Sequence, residues 1–571
     1  MFEPLVNEGI FIAVIAVITW IIWDYLDSKN QPPGPSRFPF FGNLFQVAIA
    51  DPIPYIGLYK ICKRYGKHGL TRIQLGFINA VFLNDVQTMK DLINREETFS
   101  REFAEEIKAR NMNKNLGILI GVGHPWKEMR RFTLKTLKNF GFSKRSVMGN
   151  VMSSEANLIQ DELIQMSKSS KDGTIRIVGD FFAVSTLNIV LWMVTGKRCD
   201  RNDKNSVVNR FLVVGRKFSQ SFSMISGLYN YWPFLKNICP QLCGFTQAQQ
   251  LSTEMQDIAR EMLYEARASG NYKTSQNCFI DEFLAQIDEE EKKRDGEERF
   301  FTDDQFIIII MDLIQAGSDT TSGSLAFGIL LLASHPTVQE KLVQEIIRVV
   351  GLQGVPCLED RDKLNEVSTV GLLFCVTGSK SSSDPEYGSL SKVNFLVMLA
   401  IFNRKKAEDE NRLPNLEAGV EHPRMPYTQA VIAETLRYAR TVMLLPRNVL
   451  KDFWYQGFHF KKGTTLMMCA HTINMDEDVW GDPDNFRPER FIKDGSFNKE
   501  FADENTLPFG TGRRSCIGEG IARDALFIML TTLIRNLDFS LPEGRPKPSL
   551  IPVLGFSALA APFDVVINPR K

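Results

Sequence analysis

The chain carries no net charge: 67 Lys and Arg offset 67 Asp and Glu. Without an overall field, nothing draws it to nucleic acid or to an anionic surface, and a nucleic-acid function has no support. It also lacks a disulfide framework. Nine cysteines, an odd number scattered over 571 residues, do not resemble the dense pattern of a small secreted domain and read as reduced thiols facing a cytosol-like compartment. No internal repeat is visible. No GxGxxG unit or other convincing nucleotide-binding element occurs either. What is present is an ordinary globular composition, 44% hydrophobic and 23% charged, with enough apolar residues to bury a large core.

The amino terminus departs from that composition, because Gly9 to Trp23 is an uncharged run rich in Ile, Val and Trp. A bilayer core of ~30 Å asks for about 17 to 25 helical residues, reached when Leu5 and Val6 join from one side and Tyr25 and Leu26 from the other. A cleaved signal peptide is the rival reading, but Glu3 and Glu8 stand where its basic region belongs and no small-residue cleavage site follows. The run predicts a membrane anchor over 1–28. Lys29 and Arg37 after it, against Glu3 and Glu8 before it, put the rest of the chain on the cytosolic side. Pro32-Pro33-Gly34-Pro35 cannot continue a helix, so 29–37 is expected to be a stiff hinge.

From residue 38 to 571 the pattern predicts one domain, mainly α with a minor β part. Helical signals fall at 124–140, 153–168, 303–334, 336–350, 426–438 and 517–536, while 70–84 and 453–468 carry β-formers bounded by Gly. The longest helix has a capping box at Thr302 and Gln305, acidic residues at its start, and Pro336 beyond its end. It is apolar nearly all round, which argues for burial in the core; Asp312 and Asp319 in its middle argue against a second membrane span. One region fits no pattern: two apolar runs, a Ser-rich stretch and a charged run follow one another between Leu364 and Met425.

The densest chemical signal is Phe509-Gly-Thr-Gly-Arg-Arg-Ser-Cys-Ile-Gly518, followed by a helical pattern. A lone cysteine is usually a small buried hydrophobe. Here Gly510, Gly512 and Gly518 permit a tight loop, and a helix beginning near Ile517 is expected to favour the Cys516 thiolate. Zinc is not indicated, because no CxxC or paired-His spacing occurs near Cys516. These ten residues match the FxxGxRxCxG pattern of the cytochrome P450 family at Phe509, Gly512, Arg514, Cys516 and Gly518.

Further motifs follow in that family's order. Ala316-Gly-Ser-Asp-Thr-Thr321 resembles its oxygen-activating motif: Ala316 and Gly317 leave room, Gly317 loosens the helix, and Thr320 with Asp319 relays protons for O–O cleavage. Local backbone bonding is the ordinary explanation of such a Ser/Thr/Asp cluster. Glu434 and Arg437 match ExxR, and Arg490 in Phe486-Arg-Pro-Glu-Arg-Phe491 resembles the third member of a structural Glu-Arg-Arg triad. Trp126 and Arg130 resemble the family's WxxxR, whose side chains bond haem propionates as does the arginine matched by Arg514; Arg447 occupies a position where relatives often carry Arg or His for that task. Lys127, Arg131, Lys135 and Lys138 form a basic stripe, read either as a solvated face or as a docking surface for an acidic electron donor.

The resemblance extends from the Pro-rich hinge to Pro569 and points to animal, and among them arthropod, microsomal members. It implies the cytochrome P450 fold with haem b held through Cys516, and a monooxygenase of the endoplasmic reticulum membrane, its catalytic domain facing the cytosol. It implies electrons from NADPH through NADPH-cytochrome P450 reductase, with cytochrome b5 as a second donor, and a lipophilic substrate contacted by 101–123, 211–240, 316–321, 441–446 and 555–560. The aromatic segment Phe218 to Pro233 reads either as a lipid-facing channel mouth or as core packing. A haem-binding ligand sensor without turnover, and a haem-thiolate isomerase, are the alternatives; Thr320 with Asp319 and the basic stripe favour the oxygenase. Residues 366–423 have no counterpart in the family and are expected to be an insertion, read as translated intron or a gene-model error.

Overall fold

The structure, a computed structural model, describes residues 3–101, 105–142, 145–221, 227–293, 298–351, 354–361 and 425–570; the side chains of 3–13, 142 and 145 lie outside the description. One compact unit comprises Met1–Leu358 and Met425–Lys571, and a second spans Glu359–Arg424. The predicted insertion 366–423 lies outside the described residues.

The helices that place the site are α1 (Glu3–Ser28), α2 (Glu105–Arg110), α3 (Gly123–Leu137), α4 (Arg145–Ser169), α5 (Ala183–Thr195), α6 (Phe245–Ser269), α7 (Asp303–Ser334), α8 (Pro336–Val350), α9 (Pro426–Ala439) and α10 (Glu519–Asn536). The strands are β1 (Leu70–Leu75), β2 (Ile78–Leu83), β3 (Thr174–Ile177), β4 (Leu444–Asn448), β5 (Thr465–Cys469), β6 (Leu537–Ser540) and β7 (Phe563–Pro569). A four-stranded sheet runs β1-β2-β5-β4, and a three-stranded one β6-β7-β3. In the larger sheet β2 and β5 are parallel, and β4 pairs antiparallel with β5 so that Arg447 faces Leu466. Pro446 costs this sheet nothing, since β4 is its edge.

Helix α7 is the axis of the core. Thr302 caps it by accepting from the Gln305 N–H at 3.2 Å, and it ends before Pro336 as predicted. Its residues are buried nearly all round because α5, α6, α9 and α10 pack against it. Gly317 does not loosen it: α7 is α-helical through that residue. A Cβ on Gly317 would lie 2.6 Å from Val190, so the glycine lets α5 approach closely.

Two boundaries differ from expectation. Helix α4 starts at Arg145, earlier than the predicted 153, and α10 starts at Glu519, past the predicted 517, because Gly518 sits at its N-cap and Cys516 remains in the loop. At the amino terminus α1 forms over most of the predicted anchor, but among the described residues no helix is long and apolar enough to cross a membrane. Its last turns are tied to the domain rather than set apart by the hinge. Arg37, nearly fully buried, pairs with Asp24 and with Asp27 at 3.0 Å, and Lys461 reaches Asp27 at 2.6 Å.

Candidate active site

The cysteine loop is built by two glycines in left-handed conformation, Gly510 (φ 68°) and Gly512 (φ 70°). A Cβ at Gly512 would lie 1.9 Å from the Asn94 side chain, so only glycine fits. The loop closes where the Cys516 N–H donates to the Phe509 carbonyl at 2.8 Å, and Arg523 stacks over the Phe509 ring at 4.7 Å. Cys516 stays solvent-exposed as a residue although the surrounding protein crowds its sulfur. Its electrostatics correct the sequence reading. Burial pushes the thiol up from its ordinary value and Glu519 adds to that, while the Gly518 N–H, Arg130 and Arg101 pull it down without prevailing. The helix start that was expected to favour the thiolate carries its own acid, Glu519, which adds to the effect of burial.

Around this loop stand four arginines. Arg130, from α3, donates to the Ser515 carbonyl at 2.7 Å. Arg514 donates to the Gly121 carbonyl and lies between aromatic rings, 3.9 Å from Trp126 and 4.9 Å from Phe99. Among the described residues Arg447, on β4, reaches only its neighbour's carbonyl, that of Pro446 at 3.2 Å. The fourth, Arg101, was named in the sequence only as the head of a substrate-contacting segment; no motif marks it. It bonds the carbonyls of Leu119 at 3.1 Å and Arg514 at 3.2 Å. Nε of Arg101, Arg447 and Arg514 and Nη1 of Arg514 are buried without a partner, and none of the four arginines forms an ion pair with a carboxylate among the described residues.

Burial pushes all four guanidiniums down, and repulsion from neighbouring arginines adds to it at Arg101, Arg447 and Arg514, taking Arg101 to about 10 and Arg514 to about 9. Such crowding is costly unless an anion completes it. A macrocycle carrying two carboxylates and an iron for the thiol fits these donors, which is the chemistry of haem. Trp126 does not offer its indole N–H freely, since that group donates to the Ile118 carbonyl at 3.1 Å; its ring supports Arg514 instead.

A chain of bonds joins this cluster to α7. Asp312 accepts from the Ile118 and Leu119 N–H groups at 2.9 and 3.1 Å, and the Leu119 carbonyl accepts from Arg101. One turn on, Ala316 is exposed within the otherwise buried helix, and Gly317, Asp319 and Thr320 are half-buried. The Thr320 hydroxyl donates to the Ala316 carbonyl at 2.8 Å, leaving its lone pairs outward. Burial pushes the Asp319 carboxyl up to about 6, against the Ser318 hydroxyl at 3.2 Å and the Arg216 charge. Asp319 therefore exchanges a proton close to neutrality, which an unperturbed carboxyl does not.

Behind the loop, α9 presents Glu434 and Arg437 on one face. Arg437 holds the carboxylate with both Nε (2.7 Å) and Nη2 (2.8 Å), and Arg490 joins at 3.1 Å. Arg437 also donates to the carbonyls of Asn474 and Pro483, so every buried charge in the group is satisfied. Lys127, Arg131 and Lys135 on α3, and Lys138 at its C-cap, are exposed on the side away from Trp126. In the aromatic segment Phe218, Tyr229, Tyr231 and Trp232 are buried, which is core packing; residues 222–226 lie outside the described residues. Three predicted substrate segments meet beside α7: Thr441 bonds Ser324 at 3.0 Å, Ala558 donates to the Thr441 carbonyl, and Phe556 donates to Ser219.

A helical domain that crowds unpaired cations around one accessible cysteine, and ties them to an acid–alcohol pair on its central helix, defines a haem-thiolate protein. A model of the cytochrome P450 family matches residues 32–370 and 420–567, and the chain belongs to that family. The match breaks off between 371 and 419, within the predicted insertion. Among relatives, farnesoate epoxidase of Bombyx mori is 28% identical over 98% of each chain. Cytochrome P450 2D9 of Mus musculus is 28% identical over 97% of this chain and 96% of its own, and cytochrome P450 2C8 of Homo sapiens 28% over 89% and 88%. The chain is an oxidoreductase of the cytochrome P450 monooxygenase class.

Proposed function

We propose that this protein inserts one atom of O2 into a lipophilic small molecule, by hydroxylation or epoxidation, with electrons from NADPH delivered by NADPH-cytochrome P450 reductase and, secondarily, cytochrome b5. Haem b, when bound, supplies the oxygen activation. Cys516 would hold its iron, and Arg101, Arg130, Arg447 and Arg514 its propionates. Trp126 and Phe509 shape the pocket by stacking on Arg514 and Arg523. Asp319, which exchanges its proton near pH 6, passes protons to Thr320, and Thr320 orients them at the oxygen site. Glu434, Arg437 and Arg490 hold the helix behind the cysteine loop in register and touch no reactant.

The observation that carries this reading is the set of four buried or half-buried guanidiniums without carboxylates around one solvent-exposed cysteine. The test is the reduced carbon-monoxide absorbance of the purified protein: thiolate ligation is expected in the wild type and lost in Cys516→Ser. A histidine-type spectrum in folded wild-type protein overturns the reading. Product formation that depends on reductase and NADPH separates the oxygenase from a ligand sensor or an isomerase. The name of the Bombyx mori relative makes farnesoate-type isoprenoids the first substrates to try, alongside steroids and fatty acids. The apolar run Gly9–Trp23 and the resemblance to microsomal members support an anchor over 1–28 in the endoplasmic reticulum membrane. Removal of 1–28 is expected to release the protein from alkaline-washed membranes.

A further inference from the structure

A small cavity lies where the Pro-rich hinge crosses the larger sheet. Gln31, Pro32, Arg72, Asn79, His459 and Lys461 line it. The hinge is pinned there: the Arg72 N–H donates to the Pro33 carbonyl at 2.7 Å, and the His459 N–H to the Asn30 carbonyl at 2.6 Å. Arg72, on β1, is only 5% exposed, yet its Nε and Nη1 have no hydrogen-bond partner and no carboxylate pairs with it among the described residues. The carboxylates whose charge it feels are already taken, Asp24 by Arg37, and Asp27 by Arg37 at 3.0 Å and Lys461 at 2.6 Å. His459 Nε2 lies 3.2 Å from Asp452. Arg37, Lys461 and Arg72 thus share two carboxylates, and Arg72 is the cation left over. Burial pushes it down to about 10, with Arg37 adding to the effect and Asp24 and Asp27 opposing it, so it keeps its charge at neutral pH. A water molecule in the cavity brings an acceptor but no charge, and a buried cation without a counter-charge is costly.

We infer that Arg72 and Lys461 bind a phosphate group at this cavity. The space is about that of one water molecule, so a single phosphate oxygen enters to reach Arg72, whose planar fork suits such oxygens. The rest of the group stays at the mouth beside Lys461, whose side chain is half-exposed. The height of the site favours a phospholipid headgroup over dissolved phosphate. Gln31 stands eight residues beyond Trp23, the end of the apolar run, and α1 continues through the first five of them to Ser28, a rise of about 7.5 Å. That crosses a headgroup layer about 5–7 Å deep, where the cytosolic leaflet carries anionic lipids. The source of the phosphate rests on the anchor reading; the phosphate site itself does not.

The test takes the full haem-loaded chain in a neutral detergent and reads its thermal midpoint against dihexanoyl phosphatidic acid, dihexanoylglycerol and inorganic phosphate. The phosphatidic acid is expected to raise the midpoint saturably, by about 3 °C at a hundredfold excess over its dissociation constant. Dihexanoylglycerol, which lacks the phosphate, is expected to leave it unchanged. Arg72→Met is expected to abolish the rise. Asn79 shares a face of the sheet with Arg72, because Arg72 pairs with Val81 and Gln74 with Asn79, and this diagonal is within reach of a long side chain. Asn79→Asp therefore supplies the missing charge from within; it is expected to abolish the phosphate effect as well, and it serves where Arg72→Met does not fold. A rise from phosphatidic acid alone assigns the site to a lipid headgroup, and an equal rise from inorganic phosphate assigns it to the dissolved ion. No saturable rise in the wild type, an equal rise from dihexanoylglycerol, or a rise kept in either folded variant overturns the inference. Full-length protein that washes off membranes yet keeps the Arg72-dependent rise overturns the anchor and not the site.

Discussion

At the scale of single residues, the site is set by groups whose charge the protein makes expensive. Asp319 shows this most directly. Its carboxyl is pushed up by burial to about 6, so the folded protein holds a proton there between roughly pH 4 and 6 that the unfolded chain releases. This contribution to stability is present below the ordinary carboxyl value and lost as pH rises through 6. In the relay proposed above, the same titration sets proton delivery. As pH rises through 6, Asp319 empties and electrons are expected to leak to peroxide in growing proportion, measured as peroxide released per NADPH consumed. Asp319→Asn is expected to flatten that dependence, and Thr320→Ala to raise the leak at every pH. Unchanged coupling in both variants would remove the pair from the relay. Cys516 makes the complementary point: its thiol is raised by its surroundings, so the apoprotein is expected to react slowly with thiol reagents at neutral pH.

At the scale of elements, two packing arrangements carry the geometry. The first is the buried triad behind the cysteine loop. Glu434 and Arg437 are fully buried, and Glu434 neutralises two guanidiniums. Removing it leaves the buried Arg437 with no carboxylate among the described residues, while Arg490 keeps Asp482 at 3.2 Å, a loss of about 3–5 kcal/mol. Glu434→Ala is therefore expected to lower the denaturation midpoint and to release haem, read as the ratio of haem to protein absorbance after gel filtration. The second is the contact of α5 with α7. Gly317→Ala places a methyl group 2.6 Å from Val190, so a cost of about 1–3 kcal/mol is expected from overpacking. Val190→Ala added to it is expected to restore most of that loss. No rescue would mean that Gly317 serves the helix itself and not the approach of α5.

At the scale of the whole molecule, one interval stands apart: the family match stops at 370 and resumes at 420. A chain lacking 371–419 is expected to keep the thiolate spectrum and to retain haem at least as well as the full chain; loss of the spectrum would make that interval part of the fold. The general architecture was legible in the sequence because its signals are local. Helical periodicity, the Thr302 cap, the glycines of the cysteine loop, and the ExxR spacing each operate within a few residues, where backbone sterics and side-chain reach are fixed by chain connectivity. The motifs that single out Cys516, Thr320, Asp319, Glu434 and Arg437 as candidates stand in the sequence for that reason. The convergence of Arg101 with Arg130, Arg447 and Arg514 was not, since more than three hundred positions part the first two from the last two and only folding brings them together. Nor could sequence alone show that burial raises the Cys516 thiol, that Trp126 spends its N–H on Ile118, or that Arg72 keeps donors unpaired. The chemical vocabulary of this protein is written in its local motifs. Which charges lack a partner was decided by tertiary packing, because desolvation and unmet hydrogen bonds exist only once distant segments exclude water together.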